Sequence, residues 1–429
     1  MTEGPDPVRW PGVVTLPEAS RVCTAVAERL VRRALSRLPL RARLAGGESV
    51  GLGGPLMEIR EPGAFFRRIG AEGLIGFGES YMAGEWDSPD LVGVLTVLAA
   101  HATELVPRPL QRLRGLWALR RPPEQANTPD GARDNISHHY DLSNDLFATF
   151  LDETLTYSAA VFRGFPAEQD LLPAAQHRKI DRLLDMAGVG PHTRLLEIGT
   201  GWGELAIRAA ERGARVVTVT LSQEQQALAR ARVDEAGLSE RVEIRLLDYR
   251  QVTGEYDAIV SVEMIEAVGE EYWPAYFRTL EQRLAPGGRI ALQAITMRDE
   301  RLRAARGTYT WIQKYIFPGG LVPSADALER AAGTHTGLLT EQVTRFGTHY
   351  AETLRLWRER FTARAEEIEA LGFDATFRRM WTFYLAYSEA GFRSGYLDVQ
   401  HILLTHGAGS DDSARRAGGS SAVTSGPGR

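Results

Sequence analysis

The sequence predicts an α/β protein built on a parallel, doubly wound β-sheet, preceded by a smaller and mostly helical region. Two observations lead to this fold class. Between about residues 136 and 405, short apolar runs alternate with helical patterns, and strands that alternate with helices build parallel sheets. Spaced glycines follow the first of these runs, at the carboxyl end of a strand, which is where such sheets bind their ligands.

The elements of the predicted sheet follow in chain order. The first strand is RLLEI (194–198), and the helix after it is GELAIRAAERG (203–213). The second strand is RVVTVT (215–220), and the next helix spans 222–237 with Ser222 as its N-cap, because a serine oxygen accepts a hydrogen bond from the first helical turn. The further strands are VEIRLL (242–247), YDAIVSV (256–262) and RIALQAI (289–295).

The rest of the chain divides by composition. Residues 1–15 are expected to form a loose lead, 16–120 an N-terminal domain of short helices and turns, and 121–135, which is rich in proline, asparagine and aspartate, a linker. Residues 136–406 would form the α/β domain. The Gly- and Ser-rich segment 407–429 is predicted to be a disordered tail.

Composition excludes several classes of protein. The chain has 429 residues, of which 44% are hydrophobic, and a net charge of -5, so it has no general attraction to nucleic acid. Its one cysteine, Cys23, permits neither an internal disulfide nor a cysteine-based metal site, and fits a reducing cytoplasm. The longest apolar run, 91–100, is too short to span a bilayer. We expect a cytoplasmic protein that meets the inner face of the membrane peripherally.

Two basic clusters in the N-terminal domain bear on that membrane contact. Arginines interleaved with apolar residues suit an anionic lipid surface, although a solvated helix face with extended arginines fits the same pattern. This domain is therefore expected to dock on a membrane or to form the contact of a homodimer. The arginines are Arg29, Arg32, Arg33, Arg37, Arg41 and Arg43 in one cluster, and Arg108, Arg112, Arg114, Arg120 and Arg121 in the other.

The glycine loop EIGTGWG (197–203) follows the first predicted strand. Such a loop serves NAD, FAD or S-adenosylmethionine, and a cofactor-free packing turn is the alternative. Glu197 would repel a pyrophosphate but can pair with an amino group, and the spacing is shorter than the dinucleotide fingerprint. LEQRLAPGGRIAL (280–292) ends a helix in Pro-Gly-Gly before another strand. Together these features resemble class I S-adenosylmethionine-dependent methyltransferases, which have a seven-stranded Rossmann-like sheet.

Several motifs then resemble one family, the cyclopropane-fatty-acid synthases and mycolic acid methyltransferases, and in particular its actinobacterial branch that makes 10-methylene and 10-methyl fatty acids. The likeness covers most of residues 60–405. The motifs are HHYDLSNDLFATFLDETLTYSAAVF (138–162), VTLSQEQ (219–225), SVEMIEAVG (261–269), WIQKYIFPGG (311–320) and WTFYLAYSEAGFRSGYLDVQHILL (381–404), together with FFRRIGAEGLIGFGESYMAGEWDSPDL (65–91), which is similar to the extra domain of longer bacterial members.

The resemblance implies which residues hold the cofactor. In methyltransferases of this class the second strand usually ends in an acidic residue that binds the ribose, whereas here Thr220 and Gln225 would hold the ribose region. Taken alone, Tyr157 fits an ordinary core position. The other residues that the resemblance assigns are Tyr157 and Ser158, which close over the methionine part, Gly199 and Gly201, which line it with their backbone, and Asp248 and Tyr249 beside the adenine.

The resemblance also implies an unactivated alkene in a membrane phospholipid as the substrate. Its π bond attacks the sulfonium methyl group, and the resulting carbocation must lose a proton to a base. Family members commonly hold bicarbonate as that base, on a Cys, a Glu, a His and a Tyr. The Glu matches Glu266 and the Tyr matches Tyr384, but the Cys position is Ala159 and the His position is Gln293. An extra carboxylate, Glu263, stands where the family often has Gly.

Three explanations of this altered set stay open. Bicarbonate binds through Glu266, Tyr384, Gln293 and backbone amides; or a protein carboxylate, Glu266 or Glu263, replaces it; or the site is inactive and the chain binds lipid without turnover. Glu263 also fits a helix-capping or ion-paired residue.

The altered base site bears on the product. Direct proton loss from the new methyl group closes a cyclopropane ring, whereas a prior hydride shift leads to an exocyclic methylene branch. Because a relocated base allows the shift, we expect a 10-methylene-branched chain from an oleoyl phospholipid, on which a reductase could act next. A cyclopropane-fatty-acyl-phospholipid synthase is the alternative.

An insert near 298–324 follows the fifth strand and suits the wall of an acyl channel, although core packing of an inserted helix fits it too. A small-molecule or sterol methyltransferase, the main rival enzyme, need not carry this insert. The channel candidates are Trp311, Ile312, Tyr315, Ile316 and Phe317.

Overall fold

The computed structural model of the protein describes residues 5–102 and 143–407. The predicted linker at 121–135, the second basic cluster and residues 408–429 of the predicted tail lie outside the described residues. The domain boundaries placed there stay predictions.

The described part contains helices and strands with the following bounds. The helices are α1 (Pro11–Val14), α2 (Arg21–Leu35), α3 (Pro62–Glu72), α4 (Leu74–Met82), α5 (Leu91–Ala100), α6 (Asn144–Phe150), α7 (Leu172–Met186), α8 (Glu204–Glu211), α9 (Gln223–Glu235), α10 (Ile265–Val268), α11 (Trp273–Arg283), α12 (Asp299–Ala305), α13 (Trp311–Tyr315), α14 (Ala325–His335), α15 (Gly347–Ala363), α16 (Ala365–Ala370) and α17 (Ala375–Arg393). The strands are β1 (Arg41–Leu44), β2 (Ser49–Val50), β3 (Leu56–Ile59), β4 (Trp86–Asp87), β5 (Arg194–Ile198), β6 (Arg215–Thr220), β7 (Val242–Leu246), β8 (Tyr256–Val262), β9 (Leu284–Met297), β10 (Leu338–Arg345) and β11 (Leu397–His406). Single 3₁₀ turns occur at Gln169–Leu171, Tyr249–Gln251 and Glu270–Tyr272.

The chain folds into two compact units, and it passes between them several times. The first, called here the helical unit, is drawn from the described residues within Met1–Lys179, Ile295–Val322 and Phe346–Val399. The second, called the sheet unit, is drawn from the described residues within Ile180–Ala294, Pro323–Arg345 and Gln400–Arg429.

The helical unit is mostly α-helical but also contains a small sheet. Strands β1 to β4 form this sheet in the order β2-β1-β3-β4, where the sequence predicts only short helices and turns. Strands of two to four residues are too short to show a clear alternation of apolar and polar residues. Elsewhere in the unit, α15 packs against α17, and Phe150 contacts Trp357 and Trp381 edge to face or at a tilt.

The sheet unit confirms the predicted fold class. Its seven strands are ordered β10-β11-β9-β8-β5-β6-β7. The β5–β6, β5–β8, β6–β7 and β8–β9 pairs are parallel, and β10 pairs with β11 antiparallel. The central strands are buried apolar runs, as parallel sheets covered on both faces require; examples are Leu195, Leu196, Ala258, Ile259 and Ile290.

The predicted strand boundaries agree closely with the structure for β5, β6 and β8. β9 differs, since it begins at Leu284 rather than at 289, with a register irregularity opposite Tyr256 and Ala258. The Pro-Gly-Gly segment therefore lies inside the strand, and the preceding helix has already ended at Arg283.

Two features are absent from the described residues. Within residues 5–102 and 143–407, no helix is both long and apolar enough to cross a membrane. The same part of the chain holds no cluster of three His, Cys, Asp or Glu side chains arranged for a metal ion.

Candidate active site

The loop after β5 holds three glycines with backbone conformations that other residues avoid. Gly199, Gly201 and Gly203 have φ angles of 98°, 52° and 92°, in the left-handed region that residues with a Cβ rarely adopt. A Cβ on Gly199 would lie 2.7 Å from Cγ of Met264, whereas a Cβ on Gly201 would meet nothing within 4 Å. The loop therefore turns sharply from β5 into α8 and keeps open space beside Gly201.

Glu197 places a carboxylate at the end of β5, one position before the last residue of the strand. The residue is only 3% exposed, and its backbone is paired with Thr218 of β6 and Val260 of β8. A buried carboxylate is stable only when donors or a cation satisfy it. Next to the open glycine loop, this group suits an ammonium group and would repel a phosphate.

The polar groups at the end of β6 form a small hydrogen-bonded set. The Thr220 hydroxyl donates to Oε1 of Gln225 at 2.9 Å, and the Ser222 backbone N–H donates to Thr220 Oγ1 at 3.2 Å. Ser222 Oγ accepts from the Gln225 N–H at 3.1 Å, which confirms Ser222 as the N-cap of α9. The side-chain amide nitrogen of Gln225 can therefore donate a hydrogen bond to a ligand. It is a neutral donor, whereas the side chain of an acidic residue would accept a hydrogen bond.

Asp248 and Tyr249 follow β7 and are held by different neighbours. The Arg250 guanidinium donates to the two Asp248 oxygens at 2.8 and 2.6 Å. Tyr249 packs edge to face on Tyr276, with 5.4 Å between ring centroids, and burial raises the pKa of Tyr249 to about 12. The tyrosine is therefore a flat, neutral surface, and the aspartate a carboxylate that already has a cation.

Glu263 and Gln293 are in direct contact beyond the end of β8. The Gln293 side-chain N–H donates to Oε1 of Glu263 at 2.7 Å, and the Glu263 backbone N–H donates to the Gln293 carbonyl at 2.8 Å. Glu263 has a φ of 52°, which is uncommon for a residue with a side chain. Gln293 Oε1 is also 2.8 Å from Nε2 of the buried His401 in β11.

Glu266 lies in the first turn of the short helix α10 and is half-buried. An acidic side chain in a first helical turn is favoured by the unpaired N–H groups there. Glu263 and Glu266 are thus two carboxylates within one short segment of the sheet unit.

The helical unit brings Tyr157 and Tyr384 together, with their hydroxyls 2.6 Å apart. Next to Tyr157, Ser158 Oγ accepts a hydrogen bond from Nζ of Lys179 at 2.7 Å. The Gln176 amide donates to the Ser158 carbonyl at 2.9 Å. Lys179 is only 1% exposed, so α7 holds the Tyr157–Ser158 segment from within the core of this unit.

The predicted channel residues have different surroundings in the helical unit. Trp311 packs edge to face on Phe383 at 4.8 Å, and the Tyr315 hydroxyl donates to Glu79 of α4 at 2.7 Å. Ile316 is buried, and Ile312 is half-buried. Phe317 packs edge to face on Tyr384, with ring centroids 5.8 Å apart, and so contacts a candidate catalytic residue.

Comparison with known proteins identifies the family. The sequence profile of mycolic acid cyclopropane synthetases matches residues 127–402. The chain belongs to this family. It is 57% identical over 412 residues to tuberculostearic acid methyltransferase UfaA1 of Mycobacterium tuberculosis, which covers 94% of this chain and 96% of the relative. It is also 35% identical to the cyclopropane-fatty-acyl-phospholipid synthase of Escherichia coli, over 80% of this chain and 86% of that protein.

A solved structure of a family member supports the same conclusion. The mycolic acid cyclopropane synthase CmaA1, solved in complex with SAH and CTAB, is 32% identical and has a TM-score of 0.58, over 63% of this chain and 97% of that one. The family member described here is thus an S-adenosylmethionine-dependent methyltransferase.

The residues of the sheet unit fit S-adenosylmethionine. The space beside Gly201 would admit a ligand next to the backbone, the buried Glu197 would suit the amino group of a methionine moiety, and Tyr249 would be the aromatic group beside the base. In place of the acidic residue common in this class of methyltransferase, the pair Thr220 and Gln225 offers neutral hydrogen-bonding groups to ribose hydroxyls.

Three polar residues that hold candidate side chains were not predicted from the sequence. Gln176 and Lys179 hold the Tyr157–Ser158 segment, and His401 contacts Gln293. The structure buries all three. A polar residue at the buried phase of a helix or strand is the sequence signal that could have identified them.

Proposed function

We propose that this methyltransferase transfers a methyl group to the double bond of an oleoyl-type phospholipid acyl chain and forms a 10-methylene-branched chain. This proposal rests on the 57% identity, over 94% of the chain, to a protein named tuberculostearic acid methyltransferase. A methylene branch is still an alkene, so a reductase would have to act afterwards to yield a methyl branch.

Bound S-adenosylmethionine supplies an electrophilic methyl group, to which the alkene adds, forming a C–C bond, breaking the S–CH3 bond and leaving a carbocation on the acyl chain. The glycine loop and Glu197 would position this methyl donor. Within the helical unit, Tyr157, Tyr384 and Phe317 form an aromatic cluster, and aromatic faces are able to stabilise cations.

We propose Glu263 as the base that takes the proton. Gln293 occupies the position where the family commonly has a histidine, and an amide is not basic. The Gln293 side chain donates instead to the Glu263 carboxylate, which can accept a proton. A bicarbonate ion held with the help of Glu266 is the competing base, and turnover in bicarbonate-depleted buffer tests it: a base supplied by the chain itself predicts an unchanged rate.

The product depends on when the proton is removed. If the proton is removed only after a hydride has shifted from the methylated carbon to its neighbour, the electrons of the methyl C–H bond form an exocyclic C=C bond. Direct removal closes a ring instead, as the name of the Escherichia coli relative would suggest. Both products add one CH2 to the lipid, so their masses are equal.

Ozonolysis after a labelling reaction separates these outcomes. The purified protein would be incubated with dioleoyl phosphatidylglycerol vesicles and S-adenosylmethionine carrying a carbon-14 methyl group. Label in the acyl chain and a mid-chain ketone after ozone support the proposal, whereas a labelled chain that resists ozone identifies a cyclopropane synthase. Label in a different acceptor would indicate a small-molecule methyltransferase, and no label a lipid-binding homologue.

We also propose that one face of α2 contacts the anionic membrane surface. Val22 and Val26 are 71% and 51% exposed, and with Arg21, Ala25 and Arg29 they line an open groove of about 400 Å³. Apolar side chains flanked by arginines suit an anionic lipid interface.

Other arginines of the first basic cluster are already paired with carboxylates. Arg32 is bonded to Glu28 and Glu48, and Arg43 to Glu58. The proposed membrane-contacting face therefore includes fewer arginines than the basic cluster in the sequence.

Vesicle sedimentation tests this contact. Val22→Glu combined with Val26→Glu is expected to weaken binding to phosphatidylglycerol vesicles, while Leu52→Glu, at another exposed apolar position, leaves it unchanged. Equal binding by the double variant and the parent would contradict the proposed face. The same variants measured by light scattering show whether the face instead joins two copies of the chain.

A further inference from the structure

His401 is a buried histidine in the middle of β11, and none of the roles predicted above is assigned to it. It is 0% exposed, and its Nε2 is 2.8 Å from Oε1 of Gln293 on β9. β11 and β9 are neighbours in the sheet of the sheet unit. An imidazole in such a position must have its hydrogen bonds satisfied within the protein.

A series of side-chain hydrogen bonds runs from His401 through Gln293 to Glu263, and each residue donates to the next. An amide oxygen only accepts hydrogen bonds, so the His401 Nε2 must carry the hydrogen that points at it. With Oε1 of Gln293 held by His401, the amide nitrogen faces Glu263 and donates to its carboxylate at 2.7 Å. The opposite orientation of the amide would place its oxygen against the Glu263 carboxylate, with no hydrogen between two acceptors.

The backbone adds a second link between Glu263 and Gln293. The Glu263 N–H donates to the Gln293 carbonyl at 2.8 Å, and Glu263 adopts a φ of 52°. Non-glycine residues in this conformation are concentrated at functional sites, where surrounding contacts maintain them. Three neighbouring elements, the end of β8, β9 and β11, thus contribute one residue each to the orientation of a single carboxylate.

We propose that His401 is a positioning residue for proton removal: it fixes the Gln293 amide, and through that amide it orients the Glu263 carboxylate. This inference rests on the proposed function and adds to it a residue that acts through Gln293 rather than on the substrate. Loss of His401 leaves the amide free to rotate, and Glu263 then loses a donor on one oxygen.

The test compares substitutions at His401 in two backgrounds. His401→Phe keeps the ring but removes the donor, His401→Gln keeps a donor of similar reach, and His401→Asn is polar but too short. A hydrogen bond to a charged group corresponds to a factor of roughly 10 to 100 in rate. We expect a loss of that size in kcat for His401→Phe and His401→Asn, partial retention in His401→Gln, and an unchanged Kd for S-adenosylmethionine.

The Gln293→Leu background distinguishes positioning from a general structural role. Because His401 acts through Gln293, His401→Asn should lower kcat by less than about twofold in this background. The effects of the two substitutions on kcat should therefore be strongly non-additive. His406→Phe, on the same strand but half-buried, is the matched control and should retain kcat. The proposal is overturned if His401→Asn has the wild-type kcat, or if it costs the same factor in both backgrounds.

If the proposed function itself is wrong, the result is different: the wild-type protein transfers no methyl group. The role of His401 is then decided by NMR of protein labelled with ¹⁵N-histidine. A protonated Nε2 whose resonance shifts in Gln293→Leu supports the hydrogen-bonded chain. An unprotonated Nε2, or a resonance that Gln293→Leu does not change, overturns it.

Discussion

The loops after β5 and β8 leave neighbouring parallel strands at the same end of the sheet, and both contain left-handed backbone. After β5 the left-handed positions are all glycines, including Gly199 and Gly201, whereas after β8 the position is Glu263. Left-handed backbone costs a residue with a Cβ about 1–2 kcal/mol relative to glycine. The loop after β5 thus has glycines, which leave space beside the backbone. The loop after β8 has a glutamate in a strained conformation, which places a carboxylate there.

This difference fits the roles proposed above for the two loops. Space beside Gly201 is useful only if a ligand approaches the backbone, and a strained glutamate is maintained by the hydrogen bonds that Gln293 makes to its side chain and its N–H. Binding and chemistry would therefore reside on adjacent loops of one sheet. The following variants test that separation, beginning with the largest expected effect.

Glu263→Gly should separate stability from turnover most clearly. Glycine relieves the left-handed backbone, so the thermal midpoint should stay equal or rise, while loss of a general base should lower kcat by roughly 10²- to 10⁴-fold. Differential scanning fluorimetry and the labelled-methyl assay measure the two quantities. Glu266→Gln, also in the sheet unit, is the comparison variant: if its kcat falls and that of Glu263→Gly does not, Glu266 is the base.

Gly199→Ala and Gly201→Ala should differ in what they damage. A Cβ on Gly199 meets Met264 at 2.7 Å with φ at 98°, so both stability and S-adenosylmethionine affinity should fall. A Cβ on Gly201 has room, but its φ of 52° is strained for alanine, so stability should fall only by that backbone strain of about 1–2 kcal/mol while the cofactor affinity falls. Calorimetry measures the affinity, and unchanged binding by both variants would remove this loop from the cofactor site.

Lys179→Met tests whether the helical unit also contributes to cofactor binding. The variant removes the ammonium group that donates to Ser158 Oγ, and loss of such a charge-assisted bond should weaken S-adenosylmethionine binding by about tenfold. The sequence has one other lysine, Lys314, which pairs with Glu79. Lys314→Met is the matched control, and equal affinities in the two variants would count against a cofactor role for Ser158.

Glu72→Gln should have the smallest effect, limited to the pH dependence of stability. Burial, together with a hydrogen bond to Glu79, raises the pKa of Glu72 to about 7 from its ordinary value of 4.5. The folded protein therefore holds a proton that the unfolded chain releases, and stability should fall as the pH rises from about 4.5 to about 7.

Urea unfolding at several pH values measures this decline, which Glu72→Gln should reduce while kcat stays unchanged. The neighbouring charges are Arg68, Glu79 and Lys314. An identical pH profile in the variant would assign the decline to other groups.

Local patterns in the sequence determined much of the sheet unit. Each central strand is a short apolar run bounded by turn residues, which is why 194–198, 215–220 and 256–262 were predicted with the bounds observed. Ser222 and the glycine loop were predictable for the same reason, since capping and left-handed backbone depend on residues a few positions apart. The strands of the small sheet, two to four residues long, were missed because they contain no such pattern.

Only the tertiary structure decided which distant side chains act together. Tyr157 and Tyr384 are 227 positions apart, and Gln293 and His401 are 108 apart. The sequence determined that these residues are polar or aromatic and that strands and helices carry them. Their pairing depends on strand order and on packing across the chain, because a hydrogen bond needs a geometry that is set by every element between its donor and its acceptor.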